Sequence, residues 1–248
     1  MSASASFSLI AARIQDRMVR LPLMTPLELK RFDDELLAWR DTLHPVLRSG
    51  RHGPESVRLA GLLLNYRYLN QMMLLHRPYL LIQSIKAGLQ DDLSSDYINS
   101  NADACCKFAQ DSIRDIAESW YPSQLLAWNA SWFLFQAALV VLLRLLSGTY
   151  GDQSSNLEAS VIQCLASLEQ MRTWRGSAAQ THDLISFIFN ARGTGEQGWR
   201  FNSLPDGALM DLLSFDAVAG GDWAELLDAS GGFSQEQAVF TTASDAPS

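Results

Sequence analysis

The last forty-eight residues of the chain contain no lysine, arginine or histidine, yet they hold eight carboxylates: Asp206, Asp211, Asp216, Asp222, Glu225, Asp228, Glu236 and Asp245. Taking those eight from the 27 acidic residues leaves 19, against 19 Lys plus Arg, so the first two hundred residues are neutral and the net charge of −8 belongs to the tail. No basic run exceeds two residues, which excludes the Lys/Arg surface that phosphate neutralisation needs and argues against direct nucleic-acid binding by these residues. Cysteine is scarce. Cys105, Cys106 and Cys164 are odd in number and form no CxxC pair, which points to a reduced, intracellular setting rather than a disulfide framework. Met1 to Phe7 is Ser/Ala-rich and lacks a charged n-region and an apolar h-region, so no secretory signal is expected there. No two-residue hydrophobic period with turn signals recurs, which removes sheets from consideration.

What remains is helical periodicity and a large apolar complement. Hydrophobic residues make up 48% of the 248, enough for one sizeable core. The expectation is an all-α fold of about six to eight helices with a mostly disordered acidic tail: residues 1–22 an N-terminal segment, 23–192 a helical domain, 193–204 a linker and 205–248 the tail. Thr25, Pro26 and Glu28 fit N-cap, N1 and N3 of a capping box, with Leu29, Phe32, Leu36, Leu37, Trp39 and Leu43 as the stripe behind it. Arg48 to Pro54 reads as a break. From Glu55 a long run passes through Leu59, Leu62, Leu63, Tyr66, Leu69, Met73 and Leu74 to Pro78, where a proline is expected to bend or divide the helix. Ser100 with Asp103 is expected to cap the next helix, whose stripe is Cys106, Ala109, Ile113, Ala117 and Trp120. Gln124 to Leu146 is apolar on nearly every face, the mark of a central bundle helix or a membrane span; Asn129, Ser131, Gln136 and Arg144 favour the bundle. Ser155 with Glu158 is expected to open a helix burying Leu157, Val161, Leu165, Leu168 and Met171, and Ser177 with Gln180 a last one ending near Asn190.

Several motifs carry chemistry in other contexts. Gly193, Gly195 and Gly198 spell GxGxxG, but no helix or later βαβ unit follows, so a hinge is expected instead of a dinucleotide site. Asp91, Asp92 and Asp96 give DDxxxD, a spacing that holds Mg²⁺ in all-α isoprenoid cyclases; no second acidic motif completes the cluster, and a solvated loop is expected. His44, His52, His76 and His182 are scattered without metal-ligand spacing. Asn129-Ala130-Ser131 matches the glycosylation sequon inside an apolar helix and is discounted. The most specific stretch is Leu62 to Leu81, in which His76-Arg77-Pro78-Tyr79 interrupts an apolar helix. Pro78 frees carbonyls there that the donors of Arg77 are placed to satisfy.

That stretch, with its neighbours, resembles the fungal-specific transcription factor regulatory domain, the middle homology region of binuclear zinc-cluster activators. The resemblance covers Leu27 to Pro45, Tyr66 to Leu80 with His76-Arg77-Pro78-Tyr79-Leu80, Cys106-Lys107-Phe108-Ala109, and Trp132-Phe133-Leu134-Phe135 into Ala137-Ala138-Leu139-Val140. Trp120 to Leu146 is similar to the branch that contains the yeast galactose-pathway activator. The resemblance implies a non-enzymatic nuclear regulator whose helical domain restrains or transmits signals to an acidic activation region. It also implies homodimers as an open alternative. Family members bind zinc through six cysteines in a basic segment, an arrangement absent from these residues, so no zinc, other cofactor or DNA contact is placed on this chain.

Within the tail, Leu209, Leu212 and Leu213 fall at i, i+3 and i+4, as do Trp223, Leu226 and Leu227, with Phe215 between the two sets. Each set suits a short amphipathic helix that folds into the groove of a coactivator or Mediator-type partner. Burying Trp223 with two leucines yields about 4 to 6 kcal/mol before ordering costs, the scale of weak and fast exchange. A repressor that masks the tail, and a plain solubility role, stay open beside this reading. No membrane association is expected.

Overall fold

At Ser2 the side chain accepts a hydrogen bond from the Ala5 amide and starts α1 (Ala3–Met18), the first of eight helices among the described residues. The computed structural model describes residues 2–20, 23–50, 53–86, 95–148 and 154–191. The chain divides into two units, Met1–Thr194 and Gly195–Ser248, and every described residue belongs to the first. The helices that follow are α2 (Pro26–Thr42), α3 (Pro45–Ser49), α4 (Glu55–Lys86), α5 (Ser95–Ser119), α6 (Gln124–Ser147), α7 (Ser154–Met171) and α8 (Gly176–Ala191). No strand occurs among the described residues, and the fold is all-α.

Helix α1 stands over a segment to which the sequence reading assigns no element. Phe7, Ile10 and Ile14, one face at helical spacing, are buried in a cluster with Leu29, Leu36 and Trp39 of α2 and with Leu64, Tyr68 and Leu75 of α4. The Trp39 indole N–H donates to the Ala3 carbonyl at 3.1 Å and to Ser6 Oγ at 3.2 Å, so the one polar atom of that ring is satisfied inside the cluster.

The capping box of α2 forms as expected. Thr25 accepts from the Glu28 amide, and Glu28 reaches back to the Thr25 amide at 2.8 Å, with Pro26 at the first helical position. The helix ends sooner than expected, however. Leu43 and His44 are extended, because the ring of Pro45 pushes the residue before it out of the helical region, and the break precedes Arg48. His44 then caps α3, its Nδ1 accepting from the Val46 amide. Gly50 closes α3 at φ 57°, and a Cβ on Gly61 would lie 2.8 Å from both the Gly50 Cα and the Leu47 carbonyl, so α3 meets α4 backbone against backbone.

Helix α4 runs unbroken through Pro78, contrary to the expected division. The proline removes one backbone hydrogen bond, but Leu75, Tyr79 and Leu80 on either side of it are buried, and their packing fixes the chain in the helical path. Nor does Arg77 serve the freed carbonyls: among the described residues no hydrogen bond joins it to that turn. Helix α5 begins at Ser95, so Ser100 lies inside it rather than capping it, and Asp103 pairs with Arg144 instead. Its buried stripe starts at Ile98 and proceeds through Ala102, Cys105, Cys106, Ala109, Ile113 and Ile116; Ala117 and Trp120, expected in that stripe, are only half-buried.

Helix α6 is capped by Ser123 and touches α4, α5, α7 and α8. It is long and apolar enough to cross a membrane, but 72% of its most apolar window is buried against those neighbours, which makes it the central helix of a bundle. Helix α7 opens at Ser154, whose hydroxyl donates to Glu158 at 2.9 Å, so Ser155 is helical rather than a cap. Leu157, Val161, Leu168 and Met171 are buried there as expected, joined by Cys164, whereas Leu165 is half-buried. Helix α8 likewise begins before Ser177, at Gly176.

Candidate functional site: the His76–Tyr79 turn of α4

Residues three and four apart share a helix face, so His76 and Tyr79 project together from α4. His76 is 4% exposed and stacks on Phe108 of α5 at 5.8 Å between ring centroids. Its Nδ1 lies 2.9 Å from Asn101 Oδ1 of α5, and its Nε2 3.1 Å from Asp33 Oδ1 of α2. The Asn101 amide is oriented by its own Nδ2, which donates to the Tyr97 carbonyl at 2.8 Å, so its oxygen faces the ring. Both imidazole nitrogens therefore meet side-chain oxygens, one from each neighbouring helix. His76 thus bridges α2 and α5 from inside the bundle, with the Asp33 carboxylate 24% exposed at its outer side.

Tyr79 continues the same attachment. Its hydroxyl donates to the Met24 carbonyl at 3.0 Å, immediately ahead of the α2 cap, and its ring meets Tyr97 edge-on at 5.4 Å. Burial pushes the Tyr79 phenol above its ordinary value, which keeps it a donor. Beside it, the Glu28 carboxylate that closes the capping box also receives Nε and Nη2 of Arg17, each at 2.9 Å, and ties α1 to α2. Hydrogen bonds from Arg17 first, and from Thr25, hold Glu28 down at about 2. Pro78 and Tyr79 also line a shallow cleft with Arg17, Arg20 and Leu23, a space of about 240 Å³ that includes its open mouth. That is smaller than the roughly 300 to 1,000 Å³ of an ordinary small-molecule pocket.

A second polar node joins α4, α5 and α6. Arg144 of the apolar α6 has a side chain only 8% exposed, and its guanidinium donates to Gln83 of α4 and to Asp103 of α5. Gln83 passes the network on, donating to Asn99 at 2.6 Å. Sequence reading notes Arg144 only as a reason to prefer a bundle; Gln83 and Asp103 lie 61 and 41 positions away, beyond any local pattern.

The remaining candidates fall as follows. Cys105, Cys106 and Cys164 are free and buried. Burial raises all three thiols, Cys106 to about 11, so they are packing residues rather than nucleophiles. Asn129 is buried in α6 with its amide donated to the Leu125 carbonyl, which leaves the sequon enclosed. His182 sits in a surface cluster with Arg172 and Asp183. Asp96 is exposed in the first turn of α5, while Asp91 and Asp92 lie outside the described residues, as do His52 and Gly193, Gly195 and Gly198. Among the described residues no group of three or more His, Cys, Asp or Glu is placed to hold a metal ion. Leu209, Leu212, Leu213, Phe215, Trp223, Leu226 and Leu227 likewise lie outside the described residues. Chemically, the arrangement around His76 joins helices: its polar atoms are committed to one another. In comparisons with known proteins, no family model, no curated protein and no solved structure matches the chain.

Proposed function

We propose that this chain is a regulator of RNA polymerase II transcription: an all-helical regulatory domain that carries an acidic activation tail. The observation that carries the reading is the charge pattern after Arg200, where eight carboxylates and no cation are interleaved with Leu209, Leu212, Leu213, Phe215, Trp223, Leu226 and Leu227. The carboxylates keep large apolar groups in water and steer them toward basic coactivator surfaces, where short helices bury one large residue per turn. The resemblance of His76-Arg77-Pro78-Tyr79-Leu80 and its flanking helices to the regulatory domain of zinc-cluster activators supports the same reading. The nucleus is then its compartment. Coactivator or Mediator-type proteins are its partners, with a repressor as a competitor for the tail. DNA contact would fall to a zinc-cluster module, whose six-cysteine segment these 248 residues do not contain.

A one-hybrid assay tests this with residues 201–248 fused to a foreign DNA-binding domain, beside the full chain in the same fusion. Activation by the tail, reduced by combining Trp223→Ala, Leu226→Ala and Leu227→Ala, is the expected result. Silence of both fusions would overturn the proposal.

A further inference from the structure

Arg67, half-buried on α4, differs from the buried Arg144 of α6 in having no carboxylate. Arg144 has Asp103, whereas among the described residues no Asp or Glu pairs with Arg67. Its guanidinium instead leaves α4 toward α1, where Nη1 donates to Ser4 Oγ at 2.8 Å and Nη2 to Ser8 Oγ at 3.0 Å. The same group lies 4.8 Å from the centroid of the Phe7 ring. Partial burial lowers the Arg67 guanidinium from its ordinary value. Ser4 and Ser8, one turn apart, grip it from the same face of α1.

The surroundings favour an anion at this seam. The α1 sequence carries no acidic residue before Asp16, so negative charge at Ser8 meets no like charge on its own helix for about two turns. Of the α1 serines, Ser6 is occupied, its hydroxyl donating to the Ala3 carbonyl and accepting from Trp39. Ser4 is half-buried, and Ser8 is exposed. We propose that Ser8 is a phosphorylation site whose phosphate becomes the missing counter-ion of Arg67 and fastens α1 onto α4. A protein kinase would transfer the terminal phosphoryl group of a nucleoside triphosphate. The bond from phosphorus to Ser8 Oγ forms, the β–γ bridging P–O bond breaks, and the hydroxyl proton is released as the nucleoside diphosphate leaves. The phosphate oxygens then take the two parallel N–H donors of the Arg67 fork in place of two neutral hydroxyls.

The test uses the full chain with phosphoserine installed at position 8 by genetic code expansion, beside the unmodified chain, each with Arg67 and with Arg67→Gln. Phosphoserine is expected to raise the Tm by about 2 to 4 °C and to slow amide exchange across α1, and Arg67→Gln to abolish both effects. An unchanged or faster α1 exchange in the phosphorylated Arg67 chain would overturn the proposal, as would an equal gain in the Arg67→Gln chain. Should Arg67→Gln fail to fold, Arg67→Lys replaces it; that variant keeps the charge and loses the fork, and a gain reduced by half or more supports the assignment while an undiminished gain refutes it.

Discussion

Replacing His76 with alanine removes three interactions at once, and their sizes follow from the geometry. Asn101 Oδ1 loses its donor at a position only 8% exposed, which costs about 1 to 3 kcal/mol for an unsatisfied buried acceptor. Asp33 is 24% exposed and rehydrates, so its share is smaller, roughly 0.5 to 1 kcal/mol. Phe108 loses a stacked ring, worth about 0.5 to 1.5 kcal/mol, and faces a void. A total near 4 kcal/mol translates into a Tm lowered by roughly 8 to 16 °C for a chain of this size. Thermal unfolding by circular dichroism measures it, with Arg77→Ala as the control one residue away, expected to cost about 1 kcal/mol or less because it keeps the bridge. A double-mutant cycle with Asp33→Ala should return a non-zero coupling. A His76→Ala loss no larger than that of Arg77→Ala, with zero coupling to Asp33, would refute the bridge.

Three further outcomes are expected. The Arg17 and Thr25 hydrogen bonds hold the folded Glu28 at about 2 against about 4.5 unfolded, so its contribution is complete above pH 4.5 and is lost as the pH falls toward 2; in Glu28→Gln, urea titrations across that window should show a weaker acid dependence. In the native chain, a thiol reagent at pH 8 should label none of the three cysteines on the mixing timescale, and all three in denaturant. Arg144→Leu should leave the Tm within a few degrees, whereas Asp103→Ala, which strands the Arg144 cation beside Gln83, should cost about 1 to 3 kcal/mol, reduced from the fully buried case because Asp103 is 56% exposed.

What could be foreseen from the sequence was whatever is decided within a few residues. The Thr25–Pro26–Glu28 box and the span of α6 are local statements, and both form as expected. Two features absent from the sequence expectations also have a local signal. Phe7, Ile10 and Ile14 carry a helical spacing across α1, and His44-Pro45 carries the pre-proline restriction that ends α2. The start of α5 was masked because its first turns are polar outside Ile98 and Ala102, so Ser100 looked like a boundary. Pro78 shows a local rule overridden by packing. At the site, His76 was singled out by its neighbours in sequence, but Asp33 and Asn101 lie 43 and 25 positions away, and only the folded helices bring the three together.

The buried arginine of α6 sets where that helix stops sliding. A helix apolar on nearly every face gains similar hydrophobic burial in its present position or displaced by one turn, about 5.4 Å, along its axis. Such displacement would carry the Arg144 guanidinium away from Gln83 and Asp103, and a buried charge left unpaired costs several kcal/mol. Hydrocarbon thus supplies the cohesion of the bundle, and one cation supplies its ruler. An Arg144→Leu chain that keeps its melting temperature should give it up in another form, as broadened methyl resonances from a helix no longer held to a single register.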